Sequence, residues 1–319
     1  MEKRFDLLCT GMALVDSIIR GFDPEPISAS GYRAESGSLN VGGEAVNEAM
    51  AAAKLGLRTA ILCALGEDGA GDMVLDAMRR SGVDTSTVAR SKEHPTPVTT
   101  MFVKEDGSRK SITNGSHRYN MHPENYPQLI ASARAITLGS MFRAPYDDPE
   151  VIRAVMQTAK DAGTLILADT KLPNFRRLTL AELQHILPLV DYIFPNEDEA
   201  KYYSGKSDPD EMAEVFLSYG IRNVIIKLGA EGCLFRNARE RILLPACRIM
   251  PVDATGAGDN FLAGFAAALL QEHQPQHVAD HREILRFANA CGAICTTAVG
   301  ANTGLQSRAQ VEAFLREQN

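Results

Sequence analysis

Short apolar runs alternate along the chain with stretches in which apolar residues recur every three to four positions. The first pattern predicts strands and the second predicts amphipathic helices. Residues 5–11 form the first apolar run, and residues 43–55 follow with Ala45, Val46, Ala49, Met50 and Ala53 on one helical stripe. The pattern then predicts a strand at 59–65, a helix at 72–81 ended by Gly82, a strand at 135–139 and a helix at 148–162. Strands at 164–169, 192–195 and 223–228 alternate with helices at 180–187 and 196–203. Helices at 257–271, 281–298 and 307–318 close the chain. Repeated strand–helix alternation implies an α/β fold, a mostly parallel sheet flanked by helices.

Two stretches break the alternation. Residues 17–40 are rich in Ser, Gly, Pro and Glu. Residues 97–113 read as a hairpin, with strands at 98–104 and 109–113 around the turn Glu105-Asp106-Gly107-Ser108. Both follow strands of the main sheet, so they are expected to pair into a small β-sheet lid. Its place would be over the crevice at the carboxyl ends of the strands, where open α/β folds bind ligands. Pro24, Pro26, Pro95 and Pro97 fall where such a lid would hinge. The expected organisation is a single domain over residues 1–319, with lid segments at about 17–40 and 97–113 inserted.

Composition narrows the partners. With 319 residues and 45% hydrophobic positions the chain can bury a large core. Its 33 Lys and Arg against 40 Asp and Glu give 33 − 40 = −7, without basic clusters, which argues against nucleic acid and anionic membranes. No run approaches the ~18 apolar residues of a membrane helix. Met1 to Asp6 is charged and lacks the build of a secretory signal, so the cytoplasm is the expected location. Cys9, Cys63, Cys233, Cys247, Cys291 and Cys295 form no Cys-x-x-Cys pair and sit mostly in apolar runs, as buried free thiols of a reducing compartment would. Cys291 and Cys295 share a helix face with no further ligands nearby, so packing is expected. His273, His277 and His281 are four apart, but Pro275 interrupts any helix there and a solvated loop is expected.

The strongest chemical signal is Val252-Asp253-Ala254-Thr255-Gly256-Ala257-Gly258-Asp259-Asn260-Phe261. Small residues at 256–258 let the backbone approach a ligand. A helix begins directly afterwards, so free N–H groups and the positive dipole end converge on a phosphate. Asp259 sits beside that phosphate, where proton abstraction from an attacking hydroxyl would explain a carboxylate. A helix-start residue favoured by the dipole would carry the same letter. Gly69-Ala70-Gly71-Asp72 repeats the tetrapeptide between another strand and helix. Glu67 and Asp68 precede that copy and would repel a nucleotide, so it reads as a structural turn. Gly205-Lys206-Ser207 fails as a P-loop, because Ala200 stands where that loop needs glycine. No Gly-x-Gly-x-x-Gly follows the first strand, which disfavours a dinucleotide-dependent dehydrogenase.

The segment from Asp253 to Phe265 resembles the second signature of the ribokinase-like (PfkB) carbohydrate kinases, and the likeness extends over nearly the full length. Gly42-Gly43 with Asn47 resembles the first signature. Leu65-Gly66-Glu67-Asp68 to Gly71, then Gly82-Val83-Asp84, resembles its continuation. Pro195-Asn196-Glu197-Asp198-Glu199 is similar to the Asn-x-x-Glu motif near magnesium and the phosphates, and Lys227-Leu228-Gly229-Ala230-Glu231-Gly232 to the strand and turn beside the nucleotide.

The resemblance implies an ATP-dependent kinase with Asp259 as base and Gly256, Ala257 and Gly258 as anion hole. It implies magnesium organised by Asn196 and Glu199, mostly through water. Gly229, Gly232 and Asn289 would line the nucleotide pocket. Asp16, Gly42, Gly43 and Asn47 would hold the sugar. Asp253 and Thr255, with carbonyls near Gly300, could form the potassium site of many relatives. Each position has a plainer reading: Asp16 as a turn residue, Gly42-Gly43 as a turn, Asn196 as a helix cap, and Asn47 and Glu199 as solvated helix residues. Lys227 reads equally as a snorkelling strand-end lysine or as a phosphate contact.

Departures bear on the substrate. Asn114-Gly115-Ser116 matches only in part a Gly-Ala-Asn-like turn of many sugar kinases. Asp169-Thr170-Lys171-Leu172-Pro173 keeps the Asp of a fructokinase-like Asp-x-Asn-x-Arg but not the Asn or Arg. Asp169 and Arg143 are expected to contact substrate. The reaction expected is transfer of the ATP γ-phosphoryl to a primary hydroxyl of a small sugar. Alternatives are a nucleoside kinase, with Tyr32, Phe102 or Tyr119 as the stacking aromatic, and a catalytically silent sugar-binding relative. An exposed lid edge is also a candidate homodimer surface.

Overall fold

A computed structural model describes residues 3–21, 31, 33–104, 109–114 and 121–318. The main sheet holds eight strands in the order β14-β13-β12-β11-β10-β9-β1-β4. These are β1 (Phe5–Thr10), β4 (Thr59–Leu62), β9 (Ala133–Met141), β10 (Leu165–Thr170), β11 (Tyr192–Phe194), β12 (Asn223–Lys227), β13 (Cys233–Asn237) and β14 (Arg241–Leu244). Pairing is parallel from β4 to β12, and β13 and β14 add antiparallel strands at one edge.

Strand residues alternate between two apolar layers, as a pleated strand buried on both faces requires. On one face Leu7, Cys9, Ala135, Leu167 and Phe194 pack with helices α1 (Glu44–Lys54), α2 (Gly69–Arg80), α7 (Ala257–Leu269), α8 (Arg282–Cys295) and α9 (Arg308–Glu317). On the other, Leu8, Ile136, Leu138, Ile166 and Ile193 pack with α3 (Pro127–Ala131), α4 (Pro149–Asp161), α5 (Glu197–Ser204) and α6 (Pro209–Ser218). The structure thus has the layered α/β architecture that the strand–helix alternation predicts.

A separate four-stranded sheet, in the order β3-β2-β7-β8, comprises β2 (Leu14–Arg20), β3 (Ser36–Gly42), β7 (Val98–Val103) and β8 (Arg109–Thr113). It joins the two interruptions as expected, but it starts earlier, so Asp16 lies inside its first strand. Leu39 and Ile112 stand in one cross-strand row with Ser17 and Thr100 and are exposed. The 105–108 turn, Pro24, Pro26, Tyr32, Gly115, Ser116 and Tyr119 lie outside the described residues.

The structure corrects several expected elements. Residues 180–186 form consecutive turns that run into a short 3-10 turn at Leu187–Leu189, not an α-helix, joined by Leu183 N–H to Leu180 O and Ile186 N–H to Leu183 O. Their apolar spacing is satisfied because Leu180, Leu183 and Leu187 are buried by the turns themselves. The run 59–65 is split into β4 and β5 (Ala64–Gly66), and β5 pairs with β6 (Ala89–Ser91). Helix α6 was not predicted, although Asp208 caps it and Pro209 opens it. His281 is not solvated: it is buried between Glu240 (Nδ1 to Oε2, 2.7 Å) and the Tyr192 hydroxyl, and it stacks on Phe235. The six cysteines are free thiols, all buried except the half-buried Cys247. Among the described residues no helix is long and apolar enough to cross a membrane.

Candidate active site at the strand ends

The carboxyl ends of β1, β9, β10, β11 and β12 and the first turn of α7 converge on one cleft. Gly256 caps α7 with a left-handed φ of 78° and turns the chain into the helix. A Cβ there would lie 2.2 Å from the Ala301 Cβ and 2.7 Å from its Cα, so the segment rests directly on the 300–301 backbone. Of the expected anion-hole donors, the Ala257 N–H is already bonded to Ala254 O at 3.3 Å. The Gly258 and Asp259 N–H groups meet no backbone acceptor among the described residues, and they lie at the positive end of the helix dipole. The Lys227 ammonium lies 3.1 Å from where a Gly258 Cβ would stand, which places a cation beside those donors.

Asp259 is 7% exposed. Its Oδ2 accepts from Asn47 Nδ2 at 2.7 Å, and Asn47 Oδ1 accepts from Asn302 Nδ2 at 2.8 Å. Asn47 therefore holds the carboxylate. Burial pushes Asp259 up to about 6, against the Lys171 charge that lowers it, with Glu44 and Asp169 adding to the rise.

Asp169, at the end of β10, is buried and accepts from Lys227 Nζ at 2.7 Å. This pairs Asp169, expected among the substrate contacts, with Lys227. Lys227 is accordingly no surface lysine: its charge is held above the usual range by Asp169 and Glu199 despite burial. Asn196 and Glu199 form a capping box on α5, with the Glu199 N–H to Asn196 Oδ1 at 2.9 Å and the Asn196 N–H to Glu199 Oε2 at 3.0 Å. Thr170 Oγ1 also donates to Glu199 Oε2. Burial, with Asp169 next, raises the Glu199 carboxyl.

Asp16 faces Gly42, where a Cβ would meet its Oδ2 at 2.3 Å, so only glycine lets the carboxylate sit there. Burial and then Glu44 push Asp16 up to about 6. Gly43 caps α1 at φ 97°, packed on the Met12 carbonyl. Arg143 leaves β9 and donates Nε to Leu172 O at 2.7 Å. On the far side of Lys227, Gly229 and Gly232 have positive φ in the turn before β13, and Asn289 of α8 donates to Pro245 O at 3.2 Å. Asp253 Oδ1 accepts from the Thr255 N–H and hydroxyl, and its Oδ2 from the Gly300 N–H. The Arg20 guanidinium stands 3.7 Å from that same Oδ2.

Three acidic or basic side chains of the cleft were not predicted. Glu44 and Lys171 form an ion pair at 3.4 Å, and Glu48 is wholly buried with Oε1 unbonded among the described residues. The available signals were a charge directly after Gly42-Gly43 and a lysine where a fructokinase-like motif has asparagine.

The architecture and the cleft define an α/β small-molecule kinase of the ribokinase-like class. A ribokinase from Arabidopsis thaliana, solved in complex with ribose and ATP, superposes with a TM-score of 0.84 at 23% identity and 99% coverage of both chains. The sequence profile of the pfkB family carbohydrate kinases matches residues 7–308. The chain is 30% identical to a ribokinase from Haemophilus influenzae over 86% of its length and 87% of that protein. It is 27% identical to a probable fructokinase-5 of Arabidopsis thaliana over 87% of its length and 89% of that protein. The chain belongs to the pfkB family of carbohydrate kinases and is a sugar kinase of the ribokinase/fructokinase type.

Proposed function

We propose that the protein transfers the γ-phosphoryl group of ATP to a primary hydroxyl of a small sugar or sugar derivative, with Asp259 as general base. One observation carries this reading. A buried carboxylate, pushed up to about 6, adjoins the open Gly258 and Asp259 N–H groups and the Lys227 ammonium. A sugar hydroxyl there would give its proton to Asp259 as its oxygen attacks the terminal phosphorus. The helix N–H groups and Lys227 would take up the charge of the phosphoryl group in flight. Asp16, Arg143 and the backbone at Gly42-Gly43 are the proposed sugar contacts. Gly229, Gly232 and Asn289 are the proposed nucleotide contacts. The small sheet, entering through Asp16, is the proposed lid that excludes water.

Asn196 and Glu199 fit a magnesium ion held through water: Glu199 Oε2 is spent on the helix cap, while Oε1 makes no hydrogen bond among the described residues. Magnesium there supplies neutralisation of phosphate charge. Asp253 and Thr255 make a crowded seat for a monovalent cation: Oδ1 accepts two protein hydrogen bonds, Oδ2 accepts one, and the Arg20 guanidinium stands 3.7 Å from Oδ2. Turnover is expected to stay unchanged when potassium is replaced by a large organic cation. A requirement for potassium would restore the cation site.

The test of function is ADP release with Mg-ATP across a panel of sugars, keto-acids and nucleosides, with Asp259→Asn as blank. A sugar that releases ADP only with the unaltered protein is the expected outcome. A nucleoside as the sole acceptor, or binding of NAD without ATP, would overturn it.

A further inference from the structure

Asn302 lies in the turn between α8 and α9, and its backbone is held from two helices. Its own carbonyl accepts from Nζ of Lys54, the last residue of α1, at 2.6 Å. The preceding carbonyl, Ala301 O, accepts from Asn260 Nδ2 in the first turn of α7 at 2.9 Å. From this fixed point the side-chain amide reaches two acceptors. Its Nδ2 donates to Val41 O of β3 at 3.2 Å and to Asn47 Oδ1 at 2.8 Å.

The orientation of both amides follows from that pair of bonds. A backbone carbonyl can only accept, so the end of Asn302 that faces Val41 is its NH2 group. The same nitrogen meets Asn47, which must therefore turn its oxygen toward Asn302. That leaves Asn47 Nδ2 for Asp259 Oδ2, at 2.7 Å. Asp259 Oδ2 is thereby occupied, while Oδ1 makes no hydrogen bond among the described residues and is the oxygen left for a hydroxyl proton. Asn302 Oδ1 is buried and unbonded among the described residues. A buried oxygen without a partner is unfavourable, and a side chain present only to fill space would not carry one. The donor end accounts for the amide.

We propose that Asn302 is a positioning residue for Asp259: anchored on the backbone of β3, it fixes the Asn47 amide with its nitrogen toward the carboxylate, and so sets which carboxylate oxygen meets the attacking hydroxyl. The proposal rests on the reading of Asp259 as base. Without the Asn302 donor, the Asn47 amide is free to turn over, because its two ends are nearly equal in size. With its oxygen toward Asp259 it would repel the carboxylate and let it swing out of line.

The experiment measures kcat, KM for ATP and the thermal midpoint with Mg-ATP and the best acceptor of the sugar panel. The variants are Asn302→Leu, Asn302→Asp, Asn47→Ala, each Asn302 change combined with Asn47→Ala, and Asp259→Asn. Asn302→Leu fills the same space and donates nothing. It is expected to lower kcat about 10-fold, the effect of a misaligned reacting group, with ATP KM held. Asn302→Asp turns oxygens to Val41 O and Asn47 Oδ1, which forces the Asn47 amide over, so kcat is expected to fall further. Neither change is expected to lower kcat once Asn47 is alanine, since no amide remains to be turned. A leucine variant with unaltered kcat would reduce Asn302 to a packing residue and overturn the proposal. Losses that multiply with that of Asn47→Ala would mean that Asn302 acts elsewhere, and would overturn it too. Should Asn302→Leu fail to fold, Asn302→Asp and its pair with Asn47→Ala decide by the same two outcomes. Full activity of Asp259→Asn would take down the assignment of the base and the proposal with it; an inactive Asp259→Asn beside unimpaired Asn302 variants would take down the proposal alone.

Discussion

Asp259→Asn is expected to lower kcat by at least ~10²-fold, the usual worth of a general base, with little change in ATP affinity. The amide keeps the size of the side chain and can still bond Asn47, whose Nδ2 now reaches Oδ2 at 2.7 Å. It cannot accept the hydroxyl proton. The nucleotide contacts proposed at Gly229, Gly232 and Asn289 lie in the turn before β13 and on α8 and are untouched. Steady-state kinetics together with a direct ATP-binding measurement checks this. A variant with near-normal kcat would remove Asp259 from the chemistry and leave it as a helix-start residue.

Gly256→Ala is expected to lower both stability and turnover. The new Cβ would stand 2.2 Å from the Ala301 Cβ at a φ of 78°, where side chains are strained. Relief requires the 253–256 segment to lift off 300–301. The bonds that tie the two would be stretched: Asn260 Nδ2 to Ala301 O and the Gly300 N–H to Asp253 Oδ2. The cost is about 2 kcal/mol or more, read as a lowered denaturant midpoint. Turnover falls as well, because the Gly258 and Asp259 N–H groups move with the segment. Gly69→Ala is the control, since nothing lies within 4 Å of its added Cβ. Equal behaviour of the two variants would contradict the close packing at Gly256.

That control shows what sequence could and could not say. Gly69-Ala70-Gly71-Asp72 and Gly256-Ala257-Gly258-Asp259 share four letters and both open helices. In the first, Asp68 caps the helix from an extended conformation, and Asp72 is 67% exposed beside Arg90. In the second, glycine caps from the left-handed region and Asp259 is buried under Asn47. Flanking residues hinted at the difference, but burial created it. Strand periodicity located the parallel strands of the main sheet because strands buried on both faces must be continuously apolar; the antiparallel edge strands β13 and β14 were not predicted, and β14 alternates buried with exposed positions. The same apolar spacing misled at 180–187, where turns bury the leucines as well as a helix would.

The order of strands and helices, the small-residue turn before α7 and the presence of a second small sheet follow from local pattern, since each depends on neighbours within a few residues. The partners of the charged side chains did not. Asn47 meets Asp259 across 212 positions, Lys227 meets Asp169 across 58, and Glu44 meets Lys171 from the opposite side of the cleft. Periodicity carries no information about which distant charges share a low-dielectric space. Only the packed sheet, by bringing its carboxyl ends to one crevice, decided which carboxylates are raised, which lysines are pinned and which asparagine holds the proposed base.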